Sequence, residues 1–315
     1  MNRVSHLVHA EYAHQNGIFG KGVGVAILDT GIAGHPDFLY RRNRIAAFVD
    51  FVSGRNGIYD DNGHGTHVAG ILGGDGYCFD DVYRGIAPEA SLISLKVLDA
   101  QGNGDTEDVL RALDWCVRNR HRYNIRIVNI SIGTPCEEEC MENVALVEGV
   151  EYVWNQGIVV TVAAGNNGPK PYSIAAPGNS RKVITVGASD DEVAYIRRNE
   201  VLKNYSGRGP TLECIKKPDI VAPGSSVVSC NAFFPAVRGM HYFSNRWNAF
   251  YTVKSGTSMS TPVVSGAVAL LLSVYPDMSP REVKIRLKNS ASDLGFSHRR
   301  QGWGQLNIKE MLNRE

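Results

Sequence analysis

Short apolar runs recur along the chain, and most of them end at a glycine or a polar residue. The first run covers residues 22–31 and carries Asp29 near its end. Similar runs follow at 92–98, 125–132, 158–163 and 183–186. Runs that are this short and rich in β-branched residues are typical of strands buried on both faces. We therefore predict a strand at each run, with Asp29 at the carboxyl end of the first.

Residues 106–118 and 141–155 lie between these runs and have the apolar spacing of helices. Strands that alternate with helices at this rhythm predict an α/β fold, with a mostly parallel central sheet and helices on both faces. Ligand sites in such sheets lie beyond the carboxyl ends of the strands. Near the termini we predict two further helices, an amphipathic one at 6–15 and one that starts after Ser279 with Pro280.

The longest apolar stretch is 263–272, and it follows small hydroxylated residues and glycine at 255–262. Pro262 fits the first turn of a helix, where backbone N–H groups lack intrahelical partners. Because the stretch is apolar on nearly every side, we predict a helix buried at the centre of the protein. The stretch is too short and too rich in small residues to favour a membrane span.

Residues 230–254 are aromatic and irregular, and they are long for a loop. They fit either a hairpin packed on the body or an exposed flap, and we favour the hairpin. We find no internal repeat, low-complexity tract or linker in the sequence. We therefore predict a single domain over 1–315, with 1–16 as an N-terminal extension or helix.

Composition narrows the class of protein. Of the 315 residues, 43% are hydrophobic and 21% are charged, which is ordinary for a globular domain. The formal net charge of +1 gives no support to a nucleic-acid or membrane partner. The first residues form no apolar targeting segment, so we expect a cytoplasmic protein, or a secreted one if this chain is a processed mature form. The six cysteines form no CxxC pair and are expected to be reduced: Cys78, Cys116, Cys136, Cys140, Cys214 and Cys230.

Ser258 stands at the start of the predicted central helix, where N–H groups and the helix dipole favour negative charge. A serine hydroxyl becomes a nucleophile only beside a base, and the usual base is histidine. His64 is the best candidate because flanking glycines leave its ring accessible. Taken singly, Ser258 could equally cap the helix and His64 could be structural. A zinc pair of His64 with His67 is a further alternative, but no third ligand stands at metalloprotease spacing.

Asp29 and Asn166 would complete such a site. A buried carboxylate needs hydrogen-bond partners, and the N–H of an imidazole supplies one while the carboxylate orients the ring. Asn166 follows a predicted strand, and its amide suits the oxyanion that forms in acyl transfer, with the Ser258 backbone N–H as a second donor. Either residue alone is equally typical of a turn, because a glycine follows each closely.

Residues 25–31 (VAILDTG), 64–70 (HGTHVAG) and 256–262 (GTSMSTP) resemble the three catalytic signatures of the subtilisin-like serine proteases. They stand in the order Asp, His, Ser, which is the order in subtilisin. Residues 163–166 (AAGN) resemble the oxyanion segment of the same family. The resemblance runs from about residue 17 to the C-terminal helix and implies the subtilisin-like three-layer α/β sandwich.

The resemblance implies a serine endopeptidase that acts on protein or peptide substrates and needs no cofactor for its chemistry. Ser258 would attack the scissile carbonyl, and His64 would act as general base and then as general acid. Asp29 would hold the tautomer of His64, and Asn166 would bind the oxyanion. The substrate would lie as a strand between two segments, which are Gly102, Asn103 and Gly104 on one side and Ser131, Ile132 and Gly133 on the other. The residue before the cut would enter a pocket lined by Ala163, Ala164 and Gly165.

The chain departs from the family around this pocket. Alanine at 175–176 stands where a glycine commonly lines the far wall, which would narrow the pocket. Asn167 replaces a frequently acidic residue, which weakens the case for a basic residue at the cut. Asp61, Asp105 and the acidic run 137–139 would favour basic residues elsewhere in the substrate, although a solvated surface is the better interpretation.

Many relatives bind calcium, and the resemblance allows structural calcium through Asp37, which follows His35-Pro36, and the loop 73–84. That loop is longer here and matches no calcium pattern. Asp219 is a candidate for a second ion, with a strand-end hydrogen bond as the alternative.

The alternative function is a non-catalytic binding or regulatory protein with the same fold. Such a protein would have no need of the aspartate, the histidine, the serine and the asparagine together. An esterase of another α/β class would need a Gly-x-Ser-x-Gly motif and an acid between serine and histidine in sequence, and residues 256–260 fit neither condition.

Overall fold

The computed structural model describes residues 1–134, 141–192, 195–197, 200–234 and 247–313. The strands in chain order are β1 Gly24–Asp29, β2 Ile45–Asp50, β3 Ser91–Lys96, β4 Ile125–Ile130, β5 Val159–Ala163, β6 Ile184–Ala188, β7 Tyr195–Arg197, β8 Glu200–Leu202, β9 Ile220–Ala222, β10 Val227–Cys230 and β11 Tyr251–Lys254. Seven of them form one parallel sheet in the order β2-β3-β1-β4-β5-β6-β9. The pairs β7-β8 and β10-β11 are antiparallel and lie outside this sheet.

The helices pack around the sheet and follow most of its strands. In chain order they are α1 Asn2–Leu7, α2 Ala10–Gln15, α3 Pro36–Leu39, α4 His64–Gly73, α5 Thr106–Asn119, α6 Met141–Asn155, α7 Trp247–Phe250, α8 Thr257–Val274, α9 Pro280–Ser290, α10 His298–Gln301 and α11 Ile308–Asn313. Helix α9 begins with a capping box between Ser279 and Glu282 and has Pro280 at its first position, as predicted.

Strand β1 is buried on both faces, as its apolar sequence predicts. Val25 and Ile27 pack in a core that includes α4 and α8, whereas Ala26 and Leu28 pack in a second core with α5 and α6. Because side chains alternate along a strand, the sheet joins two layers of helices through one layer of strands. The predicted α/β fold with helices on both faces is confirmed.

Helix α8 runs through the first core, and nearly all of its residues from Met259 to Leu272 are buried. In the described part of the chain it is the one helix long and apolar enough to cross a membrane, and 83% of it is buried inside the protein. It is therefore a central core helix, as predicted. Pro262 lies in its second turn, one turn later than expected, and its missing N–H leaves the Ser258 carbonyl without the usual partner four residues on.

Two strands of the sheet were not predicted. β2 is half-exposed, so its sequence lacks a continuous apolar run, and β9 has only three residues. The N-terminal segment was predicted as one helix but forms two, α1 and α2. They are separated at His9, whose left-handed backbone (φ 56°) cannot continue a helix.

β10 and β11 pair as the two arms of a hairpin, from Val227 opposite Lys254 to Cys230 opposite Tyr251. The hairpin interpretation of 230–254 is thus confirmed for the paired arms, although the first arm begins earlier than predicted. Residues 235–246 of that segment and the acidic run 137–139 lie outside the described residues. Among the cysteines, Cys78, Cys116, Cys214 and Cys230 are free thiols, whereas Cys136 and Cys140 fall outside the described part.

Candidate active site

Asp29 ends β1, His64 begins α4, and their side chains meet. The Nδ1 atom of His64 lies 2.7 Å from Oδ1 of Asp29. Asp29 is only 1% exposed, whereas a quarter of the His64 side chain is exposed. An ionised carboxylate can only accept hydrogen bonds, so Nδ1 of His64 carries a proton and donates it. The other ring nitrogen, Nε2, keeps its lone pair and can act as a base.

The loop before α4 is organised by Asp60, which is buried. Its Oδ1 accepts hydrogen bonds from the Thr30 hydroxyl (2.8 Å) and the Gly63 N–H (2.7 Å). Its Oδ2 accepts from the N–H and the hydroxyl of Thr66, at 2.8 and 2.6 Å. Burial opposes ionisation, but these hydrogen bonds lower the pKa of Asp60 below its usual value. Asp60 therefore holds the first turn of α4, and with it His64, against the end of β1.

Gly65 allows α4 to start this close to β1. A Cβ at this position would lie 2.2 Å from the carbonyl oxygen of Gly31 and 3.2 Å from Cβ of Asp29. The Gly65 N–H instead donates to the Thr30 hydroxyl at 2.9 Å. The short distance between Asp29 and His64 thus depends on a residue without a side chain.

Asn166 follows β5 and contacts the start of α8. Its Oδ1 accepts the Thr257 N–H at 2.9 Å and the Thr257 hydroxyl at 3.2 Å. Gly256, just before the helix, lies beside Nδ2 of Asn166, because a Cβ on Gly256 would be 3.3 Å from that nitrogen. Because Oδ1 is engaged with Thr257, the Nδ2 donor group is left for another acceptor.

Ser258 lies in the first turn of α8, directly after Thr257, and is half-buried. The N–H groups of a first turn have no intrahelical partner, and the helix dipole adds positive potential there. Ser258 therefore stands where a developing negative charge is stabilised by its own N–H and by the adjacent Asn166 amide.

The four predicted catalytic residues are brought to one edge of the sheet. Asp29 ends β1, and Asn166 lies just beyond the end of β5 in the same parallel sheet. His64 is hydrogen-bonded to Asp29, and Ser258 directly follows the residue bonded to Asn166. His67 points elsewhere: its buried ring contacts the Val227 and Thr252 carbonyls of the hairpin at 3.1 and 3.2 Å. The zinc-pair alternative therefore has no support from the geometry.

A pocket of about 270 Å³ lies beside this edge, between the loop after β3, the end of β4 and the start of α5. It is lined by both predicted substrate segments, and Leu98, Val109 and Leu146 supply apolar walls. Of the predicted residues, Gly102, Asn103, Gly104, Ile132 and Gly133 line it. Ser131 is buried instead, and its hydroxyl accepts a hydrogen bond from Asn129 at 2.9 Å.

The residues predicted to line the pocket for the residue before the cut lie at and just beyond the end of β5. Ala163 and Ala164 are buried, and Gly165 has a positive φ of 88°, which favours glycine. A Cβ on Gly165 would lie 2.8 Å from Cβ of Ala175, whose N–H donates to the Ala164 carbonyl at 2.9 Å. Ala175 therefore stands opposite Gly165, where the sequence predicts a narrowed wall.

The acidic residues singled out as contacts for basic substrate residues have other partners. Asp61 Oδ1 accepts a hydrogen bond at 2.7 Å from the buried ammonium of Lys96. Asp105 is the N-cap of α5 and accepts the Glu107 N–H at 2.8 Å. Asp61 thus has a structural role, whereas Asp105 both caps α5 and lines the pocket described above.

The surroundings of Asp37 do not fit a calcium ion. Its Oδ1 accepts the Cys78 N–H at 3.0 Å, and its Oδ2 accepts the Tyr251 hydroxyl at 2.8 Å and lies 3.7 Å from Cys230 Sγ. Burial raises the pKa of the Cys230 thiol and of the Tyr251 hydroxyl, so both stay protonated. Calcium needs six to eight oxygen ligands, whereas this carboxylate is enclosed by hydrogen-bond donors.

A thiophilic metal fits the same cluster no better, although His35, Asp37 and Cys230 place ligand atoms within 4.8 Å of one another. Nδ1 of His35 accepts the Asp37 N–H at 3.1 Å, and Nε2 lies 2.8 Å from the Phe250 carbonyl oxygen, to which it donates. Both ring nitrogens are thus engaged. The buried Arg44, which donates to the Asp37 carbonyl, supplies a nearby positive charge.

Asp219 is likewise surrounded by cations of the protein itself. Its Oδ2 lies 2.6 Å from Nζ of Lys217, and its Oδ1 lies 3.2 Å from Nζ of Lys284. Burial lowers the pKa of Lys217 to about 8, which leaves it charged at neutral pH. The Lys284 ammonium also donates to the carbonyls of residues 181–183 at 2.9, 3.0 and 2.8 Å. A calcium ion here would face two ammonium groups, so these residues do not fit it.

Comparison with known proteins identifies the family of the chain. The model of the Subtilase family (Peptidase_S8) matches residues 20–304. Serine protease AprX of Bacillus subtilis (strain 168) is 42% identical over 294 residues, which cover 89% of this chain and 64% of AprX. Subtilisin Savinase of Lederbergia lenta is 34% identical over 291 residues, 92% of this chain and 91% of that protein.

The fold agrees as well. A solved structure described as a cold adapted subtilisin-like serine proteinase superposes with a TM-score of 0.69 at 27% identity, and the match covers 92% of this chain and 88% of the other. The chain spans just under two thirds of the length of AprX, so the rest of AprX lies outside the match. A family match over most of the chain, relatives named as serine proteases and a shared fold lead to one conclusion: the chain belongs to the subtilase family.

Proposed function

We propose that this protein is a serine endopeptidase that hydrolyses peptide bonds of proteins through an acyl-enzyme on Ser258. The observation that carries the proposal is the 2.7 Å contact between His64 and the buried Asp29. It lies at the same sheet edge as Asn166, which is bonded to the residue before Ser258. Family membership supports the same reaction class.

In the first half of the reaction, Oγ of Ser258 forms a bond to the scissile carbonyl carbon and gives its proton to Nε2 of His64. The resulting imidazolium is stabilised by Asp29, whose carboxylate already holds the opposite ring nitrogen. The tetrahedral intermediate then collapses, the C–N bond breaks, and His64 passes the proton to the leaving amine. Water repeats the sequence on the acyl-enzyme and releases the second product.

The oxyanion that forms in each half would be stabilised by Nδ2 of Asn166 and the N–H of Ser258. Neither donor has to reorganise during the reaction. Thr257 fixes the amide through Oδ1, and the helix fixes the backbone N–H. Donors that are oriented in advance cost no reorganisation energy when charge develops, which is why such groups contribute strongly to catalysis.

The substrate would extend from Ser258 along the pocket between the two segments. Leu98, Val109, Ile132 and Leu146 give this pocket an apolar lining, and its volume of about 270 Å³ admits a large aliphatic or aromatic side chain. We therefore propose that an apolar residue several positions before the cut is preferred, and that Ala175 limits the size of the residue directly before it.

The test combines covalent labelling with proteolysis. The purified chain should be labelled at Ser258 by a serine-directed phosphonate and should degrade an unfolded protein such as reduced casein. Ser258→Ala should abolish both activities. Ser273→Ala, the same substitution near the end of the same helix, should leave both unchanged, since its hydroxyl only contacts the Leu270 carbonyl. A folded wild-type protein that is neither labelled nor active would instead favour the non-catalytic alternative.

A further inference from the structure

Phe233 lies exposed beside the candidate base. With 64% of its surface exposed, it is the most exposed large apolar side chain in the described part of the chain. Its ring packs over Gly63, the residue just before His64. A Cβ on Gly63 would lie 3.2 Å from Cε2 of Phe233 and 3.5 Å from Cβ of Ala232.

The side chain of Asn231 holds the backbone of Phe233 in this position. Oδ1 of Asn231 accepts the Phe233 N–H at 3.2 Å, and Nδ2 of Asn231 donates to the Phe233 carbonyl at 3.2 Å. The backbone N–H of Asn231 donates in turn to the Phe250 carbonyl at 2.8 Å. Both backbone polar groups of Phe233 are thus hydrogen-bonded to the Asn231 side chain, and Asn231 is itself bonded to Phe250, just before the second arm of the hairpin.

Phe234, the next residue, packs against the core and fixes the segment 231–234 to it. The Phe234 ring meets the buried His35 ring edge-on at a centroid distance of 5.1 Å and stacks on Phe250 at 5.9 Å. Adjacent aromatic residues therefore face opposite ways, Phe234 into the core and Phe233 outward. An exposed aromatic ring on a fixed backbone offers contact area at little entropic cost to a partner.

The position of Phe233 relative to the substrate pocket indicates which part of a bound peptide it contacts. The apolar substrate pocket lies towards α5 and α6, on one side of the sheet edge. Phe233 follows β10, which packs against α4 on the other side: the Ser229 hydroxyl donates to the His67 carbonyl at 2.8 Å. The residues just before His64 contact both sides: Asn62 Nδ2 donates to the Ala100 carbonyl at 2.9 Å on the pocket side, and Gly63 lies against the Phe233 ring. A peptide that fills the pocket and crosses His64 therefore meets Phe233 with the residues that follow the scissile bond.

We propose that Phe233 is a specificity-determining residue that binds a large apolar side chain at the first or second position after the cut. This inference rests on the proposed serine-protease function and adds a preference on the leaving side of the substrate. A glycine or a charged side chain there would gain little from contact with the exposed ring, whereas an apolar one removes apolar surface of both partners from water.

The test uses acyl transfer, which isolates the leaving side. A peptide methyl ester acylates Ser258 and releases methanol, which has no side chain to contact Phe233. An added amine then competes with water: its nitrogen bonds to the acyl carbon, the bond to Ser258 Oγ breaks, and the proton lost by the amine returns to Ser258 through His64. The amines are phenylalaninamide against glycinamide for the first position, and glycyl-phenylalaninamide against glycyl-glycinamide for the second.

We expect the wild-type protein to favour the phenylalanine-containing amine in at least one pair by roughly three- to tenfold, which is the preference that a single aromatic contact provides. Phe233→Ala should reduce that ratio to about two or less, and methanol release without an added amine gives the reference rate for each variant. Phe233→Trp should keep the preference. Tyr152→Ala, which removes an exposed aromatic ring of α6, is the matched control and should have no effect.

The outcomes separate the two proposals. A wild-type protein that releases no methanol from the ester contradicts the serine-protease function itself. An active protein whose amine preference is the same in wild type and Phe233→Ala overturns the role of Phe233, and so does a wild type with no preference in either pair. Equal melting temperatures for wild type and Phe233→Ala would establish that a lost preference does not come from unfolding.

Discussion

The orientation of a single amide decides what Asn166 can do. The side chain has one acceptor atom and one donor group, and Thr257 engages the acceptor with both its N–H and its hydroxyl. The donor is therefore aimed away from Thr257 and is available to an oxyanion next to Ser258. The same contacts tie the loop after β5 to the start of α8, so one residue both joins two elements and presents a donor.

Replacing this donor should affect turnover much more than substrate binding. For Asn166→Ala we expect kcat to fall about 100- to 1000-fold, the cost that removal of the corresponding donor has in subtilisin, with KM nearly unchanged. The measurement is steady-state hydrolysis of a chromogenic peptide. Asn167→Ala changes the exposed neighbour and should retain full activity. Equal losses in the two variants would contradict the assignment of Asn166.

Sequence alone was sufficient to single out some residues and not others. Asp29, His64, Ser258 and Asn166 each lie next to glycine or other small residues at a predicted strand end or helix start, so local pattern and family resemblance indicate them. Asp60 could be noticed only as one of two aspartates before His64. Its importance comes from hydrogen bonds to Thr30 and Thr66, which no local pattern reveals.

At the scale of elements, Lys284 connects α9 to the start of β6. Its ammonium donates to the three carbonyls of 181–183 and pairs with Asp219, which also accepts the Thr185 N–H of that strand at 2.8 Å. These carbonyls precede the strand, and the Val183 carbonyl also accepts a hydrogen bond from Nζ of Lys217 at 3.0 Å. A side chain of the protein thus supplies the positive charge that a bound cation would otherwise bring.

We expect Lys284→Met to lower the free energy of unfolding by about 2–3 kcal/mol, because the carbonyls of residues 181 and 182 lose their charged donor and Asp219 keeps Lys217 but loses its second cation. The measurement is urea unfolding in the inactive Ser258→Ala background, which prevents self-digestion. Lys288→Met changes an exposed lysine of the same helix and should alter stability by less than about 0.5 kcal/mol. A similar loss for both variants would mean that helix propensity, not the Lys284 contacts, is responsible.

The elements that were predicted and those that were missed differ in burial. β1, β3, β4, β5 and β6 are almost entirely buried, so their sequences are mostly apolar. β2 is an edge strand whose positions are mostly half-buried, and β9 is held by neighbours on both sides rather than by its own length. Such strands are defined by tertiary contacts, which a local pattern cannot supply.

At the scale of the whole molecule, three buried or partly buried histidines are neutral donors to backbone carbonyls. His14, His35 and His67 contact the carbonyls of Ile86, Phe250 and Val227 at 2.9, 2.8 and 3.1 Å. Burial lowers the pKa of each below its ordinary value, and that of His67 most strongly. The unfolded chain therefore binds more protons than the folded one once the pH drops below about 6.5.

Stability should consequently fall as the pH decreases below about 6.5, and each such histidine can contribute up to about 1.4 kcal/mol per pH unit to the slope. His67→Gln should make the decline between pH 5 and 6.5 shallower by about that amount. The measurement is urea unfolding at several pH values, again in the Ser258→Ala background. His121→Gln, at an exposed position, should keep the wild-type slope. An unchanged slope in His67→Gln would show that this histidine is protonated in the folded protein.

The overall architecture was the most predictable part, because alternating buried strands and helices leave few arrangements for a chain of this length. The order of strands in the sheet and the long-range pairs between Lys284 and Asp219 or between Tyr251 and Asp37 were not predictable. Calcium ligation was an open expectation for the same reason. The partners of a carboxylate are set by residues far away in the chain.

The order of the elements along the polypeptide has a consequence for how the protein is made. β1 and α4 bring Asp29 and His64 early, whereas Ser258 arrives on α8, late in synthesis. A nascent chain on the ribosome thus carries the proposed base and its carboxylate before the proposed nucleophile. Since α8 must also enter the core before its first turn can reach Asn166, we expect the proposed proteolytic activity to appear only when the fold is complete.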